Sequence, residues 1–186
     1  MDSIEKQKIN DGVGAAYHRV YSIAFKSTSA KAKQAMKCLK ADLNQCSPQL
    51  LARFEKTKGE ACHLKKDDEF LIHITGPWNG PVRVTDVTET SFHIVTLEGH
   101  MEAGEIHFEL KQKSDLEFIF EIESLARSKD KLVNFFYDTI PIAKVMQTEM
   151  WTSFCENFVK EISHSDGQVN ILTERRNKKT GQWQQV

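Results

Sequence analysis

The chain has 186 residues, 40% hydrophobic and 27% charged, with 9 Gly and 4 Pro. That globular balance excludes collagen-like, low-complexity and intrinsically disordered classes, and at this length it suits one sizeable core. The net charge of -1 hides an asymmetry: residues 1–66 hold 13 Lys+Arg against 6 Asp+Glu, residues 67–126 hold 3 against 13, and residues 127–186 hold 9 against 7.

Apolar runs stop at triplets such as Phe70-Leu71-Ile72 and Phe118-Ile119-Phe120, far short of the roughly 20 residues of a membrane span. Met1 to Asn10 lacks the apolar stretch of a secretory signal, so the expectation is a cytoplasmic protein with no integral membrane association. Cys38, Cys46, Cys62 and Cys155 are far apart with no C-x-x-C pair, which favours reduced thiols over a zinc site or a disulfide framework. The basic stretch from Lys26 to Lys66 is Lys-rich and poor in rings. It reads as a solvated helix face, with no nucleic-acid partner expected.

Tyr17, Arg19, Tyr21, Ile23 and Phe25 alternate with His18, Val20, Ser22 and Ala24, the period of a strand with one face on a core. Ser29 offers an N-cap to a helix carrying Ala32, Ala35, Met36 and Leu39. Ser47, Pro48, Leu50, Leu51, Phe54 and Gly59 predict a second short helix, with cap, first-turn proline, stripe and left-handed stop in order. From Glu69 the period changes to two and stays so through five segments centred on Ile72, Val84, Ile94, Phe108 and Phe120. Short turn-rich connections predict an antiparallel meander with one apolar and one charged face.

Met146, Met150, Phe154, Phe158 and Ile162 then recur four apart, with Ala143 and Trp151 beside them, as in a long amphipathic helix. Pro141 predicts a break or kink before it, leaving Lys131 to Asp138 as an earlier segment, and Gly167 an end. Val169 to Thr173 can add a strand. The order is that of an α+β helix-grip fold: a curved antiparallel sheet of about six strands, two short helices, and a long, Pro-interrupted C-terminal helix across the apolar face. The whole of 1–186 reads as a single domain, with 1–12 and 176–186 as flexible tails.

Three segments carry a resemblance: Gly76-Pro77-Trp78-Asn79-Gly80-Pro81-Val82, Thr96-Leu97-Glu98-Gly99-His100-Met101-Glu102-Ala103-Gly104-Glu105, and Phe120 to Ser128. They resemble a bacterial family of unknown function that shares a T-L-x-G-H-x-E-x-G-E core, over about Asp42 to Lys160. Where distant members carry S-R-P, this chain has Ala126-Arg127-Ser128. More distantly, the element order is similar to the START, birch-pollen-allergen and polyketide-cyclase superfamily. That resemblance implies a hollow between sheet and helix, used for apolar ligands and sometimes for catalysis.

Strand direction puts the turns at 76–81 and 98–104, the end of the strand reaching Arg127, and the start of the long helix at one rim. Trp78, Asn79, His100, Glu102 and Arg127 gather there, with Met146, Met150, Trp151 and Phe154 as wall and floor of a ligand-binding hollow. The expected partner is a small apolar or amphipathic molecule, with no cofactor. A catalytic alternative gives His100 or Glu102 general-base work and Arg127 stabilisation of negative charge. A third reading fills the hollow and assigns the sheet edge or tail to self-association as a homodimer. A metal site is not expected: His100, Glu102, Glu105 and His107 are donors close in sequence, but strand alternation separates them.

Overall fold

The computed structural model describes residues 4–75, 79–129, 141–162, 169–176 and 181–186. Among these residues nine strands form one antiparallel sheet: Val13–Lys26 (β1), Ala52–Lys58 (β2), Glu69–Ile74 (β3), Asn79–Val87 (β4), Ser91–Thr96 (β5), Glu102–Gln112 (β6), Glu117–Ser128 (β7), Val169–Arg176 (β8) and Trp183–Gln185 (β9). The order across the sheet is β2-β3-β4-β5-β6-β7-β1-β8-β9. Among the described residues two α-helices accompany it, Ser29–Ala41 (α1) and Pro141–Lys160 (α2).

The period-two pattern does what its chemistry requires. Tyr21, Ile23 and Phe25 of β1, Phe108 and Leu110 of β6, and Phe118, Phe120 and Ile122 of β7 are buried on one face, and α2 lies over them. Phe158 stacks on Phe120 at 3.9 Å and meets Phe25 edge-on at 6.2 Å, while Phe154 packs against Phe108 at 5.6 Å and Phe54 at 6.5 Å. Such aromatic pairs add stabilisation beyond the area they bury. Helix α1 buries Ala32, Ala35, Met36 and Leu39 and closes the end of the grip at the β4–β5 turn, where Lys33 Nζ meets Glu89 at 2.7 Å and Lys40 Nζ donates to Thr88 O at 2.6 Å.

The opposite end is built differently. The last ladder pair of β5 and β6 is Val95 with Glu105, and beyond it the strands part to admit the chain's own beginning. Gln7 N donates to Thr96 O at 2.8 Å, Gly104 N donates to Gln7 O at 3.2 Å, and Glu98 N donates to Glu5 O at 2.9 Å. Residues 5–7 thus supply the partners that the splayed strand ends would lack.

Several expectations change. Among the described residues the sheet has nine strands instead of about six: the strand expected from Val169 pairs with β1 as Val169–Arg176, and Ala52–Lys58 and Trp183–Gln185 also find edges to pair with. The second short helix is a turn followed by β2. Leu51 N and Ala52 N both donate to Pro48 O, Ser47 Oγ donates to Ala52 O at 2.6 Å, and Leu50 is 91% exposed. Leu50, Leu51 and Phe54 therefore form no buried stripe, and pairing with β3 overrides the helical spacing. Gly59 does adopt a left-handed φ of +115°, but at the end of a strand. Thr28, one residue before Ser29, caps α1.

Pro141 opens α2, where its missing N–H costs nothing. The earlier segment Lys131 to Asp138 and the stop at Gly167 lie outside the described residues. Within the stretches read as tails, Lys6 bridges Leu97, and β9 pairs with β8. Among the described residues no helix is long and apolar enough to cross a membrane.

Candidate functional site

The β5–β6 turn carries the chemistry at the open end of the grip. Gly99 takes a φ of +101°, a region that favours glycine, and His100 N closes the turn on Leu97 O at 3.0 Å. The His100 ring turns inward, and its Nδ1 lies 2.9 Å from Glu102 N and 3.1 Å from Glu102 O. Burial holds the imidazole below its ordinary pKa, so it is neutral. The ring fits only because residue 80 has no side chain: a Cβ there would lie 2.5 Å from His100 Nε2. Gln7 Nε2 secures the turn from below, donating to His100 O at 3.1 Å and Glu102 O at 2.8 Å.

Beneath this turn lies a cavity of about 60 Å³ between the sheet and α2. Phe54, Ile94, Ile106, Phe108 and Trp151 make its apolar wall, and Thr96, His100, Glu102, Gln147 and Ser124 its polar groups. Gln147 Nε2 reaches from α2 to the Glu102 carboxylate at 3.3 and 3.5 Å. The Ser124 Oγ is buried with no hydrogen-bond partner among the described residues.

Of the residues expected at the rim, His100, Glu102 and Trp151 are brought together. Arg127 is not. Ser124 and Ala126 line the cavity, so alternation turns Arg127 to the other face of the sheet, beside its cross-strand partner Ala103 and under Gly12. Asn79 is exposed at the start of β4, and Trp78 lies outside the described residues. Met150 and Phe154 are buried in the general core and Met146 is half-buried, none of them against the cavity.

Thr96, Ser124 and Gln147 went unnoticed in sequence, since a small polar residue in a strand or helix gives no periodic signal. The parity that hid Arg127 could have found Ser124, because it shares the inward set of Phe120 and Ile122. Among the described residues no group of three or more His, Cys, Asp and Glu is arranged to hold a metal. His100 spends its Nδ1 on the turn, which favours a positioning role over proton transfer.

A family model described as "Domain of unknown function (DUF1990)" matches residues 40–157. No curated protein matches the chain. Among solved structures, a conserved protein from Geobacillus kaustophilus is similar at 16% identity and a TM-score of 0.54, covering 82% of this chain and 99% of its own. A hypothetical protein from Helicobacter pylori is similar at 8% identity and 0.55, covering 77% and 86%. Norcoclaurine synthase from Thalictrum flavum, in complex with dopamine and hydroxybenzaldehyde, is similar at 8% identity and 0.52, covering 88% and 98%. At these identities the likeness is one of fold alone.

Proposed function

The chain belongs to the family described as Domain of unknown function (DUF1990), a membership that assigns no chemistry, and from the geometry of its hollow we propose that it binds a small, mainly apolar molecule between the sheet and α2. The observation that carries this reading is the cavity of about 60 Å³, apolar along its walls, with Thr96, His100, Glu102 and Gln147 converging on it. That is the composition of a ligand site, in which apolar surface supplies affinity and a few fixed polar groups supply orientation.

Its size sets the guest. The volume is several times the roughly 10–15 Å³ that one water needs and far below the roughly 300–1,000 Å³ of clefts for drug-sized ligands. A group of a few non-hydrogen atoms fits, either as a whole molecule or as one end of a longer one that displaces Gln147. The long contacts from Gln147 to Glu102, 3.3 and 3.5 Å, are weak enough to yield to a better donor.

Thermal-shift and calorimetric titration with straight-chain alcohols from butanol to octanol tests the reading. Saturable stabilisation by at least one alcohol is expected in the wild-type chain. It should vanish in Ile106→Trp, whose indole occupies the cavity. Alcohols that leave the wild-type melting temperature unchanged, or that act equally on the filled variant, refute the proposal.

A further inference from the structure

On the neighbouring side of β7, Arg19 takes one of the inward positions of β1. It is 7% exposed, yet among the described residues no carboxylate comes within ion-pair distance of it. Its guanidinium lies over the Tyr17 ring, 4.8 Å from the centroid, and Arg175 of β8 approaches the same ring at 5.9 Å. The cross-strand neighbours of Arg19 are Ser124 on β7 and Thr173 on β8, neither of which can neutralise it.

Two buried hydroxyls stand beside this cation. Ser124, directly opposite Arg19, lines the cavity, and Tyr21 is two residues further along β1. They are 7% and 1% exposed; the Ser124 oxygen lacks a hydrogen-bond partner among the described residues, while the Tyr21 hydroxyl faces Thr148 of α2. A buried cation and a buried hydroxyl, neither with a partner of the needed kind among the described residues, are each costly, and both costs are removed by one anion placed between them.

We infer that Arg19 and Tyr21, with Ser124 between Arg19 and the hollow, form an anion subsite beside the cavity, which takes the carboxylate of an amphipathic guest whose apolar part occupies the cavity. The inference rests on the binding proposal above and names the chemical class of its ligand. The guanidinium presents a planar fork of donors that matches a carboxylate, and the two hydroxyls donate to the same oxygens. Arg175 adds positive potential from its exposed position on β8. Glu102 and Glu105 line the same cavity as Ser124, and Glu102 is engaged by Gln147 Nε2 at 3.3 Å.

Hexanoate, hexanol and hexylamine, matched in their alkyl chain, test it by calorimetric titration into the full chain. Hexanoate should bind roughly tenfold or more tightly than hexanol. Arg19→Gln should remove that advantage and leave hexanol affinity unchanged, which also shows that the variant is folded. Arg19→Lys should keep part of the advantage, and Ser124→Ala should reduce it. The subsite is refuted if hexanoate binds no tighter than hexanol, if hexylamine binds tightest, or if the advantage survives in Arg19→Gln. Hexanol binding without a gain for hexanoate removes the anion subsite and leaves the apolar hollow standing. Failure of both probes removes the two together.

Discussion

The His100 ring lies directly against the backbone of Gly80, so closely that a methyl group on residue 80 would meet Nε2 at 2.5 Å. The contact ties β4 to the β5–β6 turn, and both belong to the end of the grip where the cavity lies. Gly80→Ala cannot be absorbed by a flexible side chain, because the His100 ring is also held through Nδ1. We expect a loss of about 1–3 kcal/mol, typical of overpacking, seen as a lower urea midpoint with unchanged slope. An unchanged midpoint would mean the turn moves freely.

Burial holds His100 below its ordinary pKa, and burial does the same to His93. Their contribution is complete above the unfolded-state value near 6.5 and falls as pH drops below it, because the unfolded chain then takes up protons the folded chain refuses. The limiting slope is about 1.4 kcal/mol per pH unit for one proton.

His18 has the opposite sign. Burial lowers its pKa, but hydrogen bonds to Glu174 and Glu123, at 2.9 and 2.7 Å, outweigh burial and hold the imidazolium above its ordinary value. Its contribution is complete below about pH 6.5 and is lost as pH rises through the folded-state value. His18→Gln should therefore cost more stability in acid than in mild alkali when urea midpoints are compared. Equal cost at both would exclude a charged staple between β1, β7 and β8.

Phe154 is fully buried and touches Phe54, Phe108 and Trp151. Phe154→Ala should cost about 3–5 kcal/mol. A smaller loss, with the circular dichroism spectrum retained, would show that α2 can settle onto the sheet and refill the space.

Cysteine reactivity should divide by burial. The Cys46 thiol is pushed up to about 12 and that of Cys155 is also strongly raised, each chiefly by burial, while Cys62 is exposed. Ellman's reagent should label Cys62 at once, and Cys46 and Cys155 only on unfolding. Immediate labelling of either buried thiol would show that the core opens on the timescale of the assay.

The meander from β3 to β7 was legible because alternation at period two survives wherever one face is wet and the other dry. Where two cues compete, pattern alone fails. Leu50, Leu51 and Phe54 carry a helical spacing, yet Phe54 is buried as a strand residue and Leu50 is solvated, a choice made by the available edge of β3. Sequence located the site by its end of the sheet, and that is why Arg127 was misplaced: strand ends fix height, whereas alternate residues at the same height face opposite ways. Arg19 belonged to the inward set of Tyr17, Tyr21, Ile23 and Phe25 from the outset. A charge in an apolar row was the available signal, and it gained meaning from the lack of a counter-ion among the described residues.

The insertion of residues 5–7 between the ends of β5 and β6 has a consequence for biosynthesis. Residues 5–7 have their docking partners at Thr96, Glu98 and Gly104, so they must wait unpaired until about a hundred further residues have been translated. They are therefore among the last pieces to lock. A bulky insertion placed beside residues 5–7 should slow maturation of the finished sheet more than the same insertion beside β9.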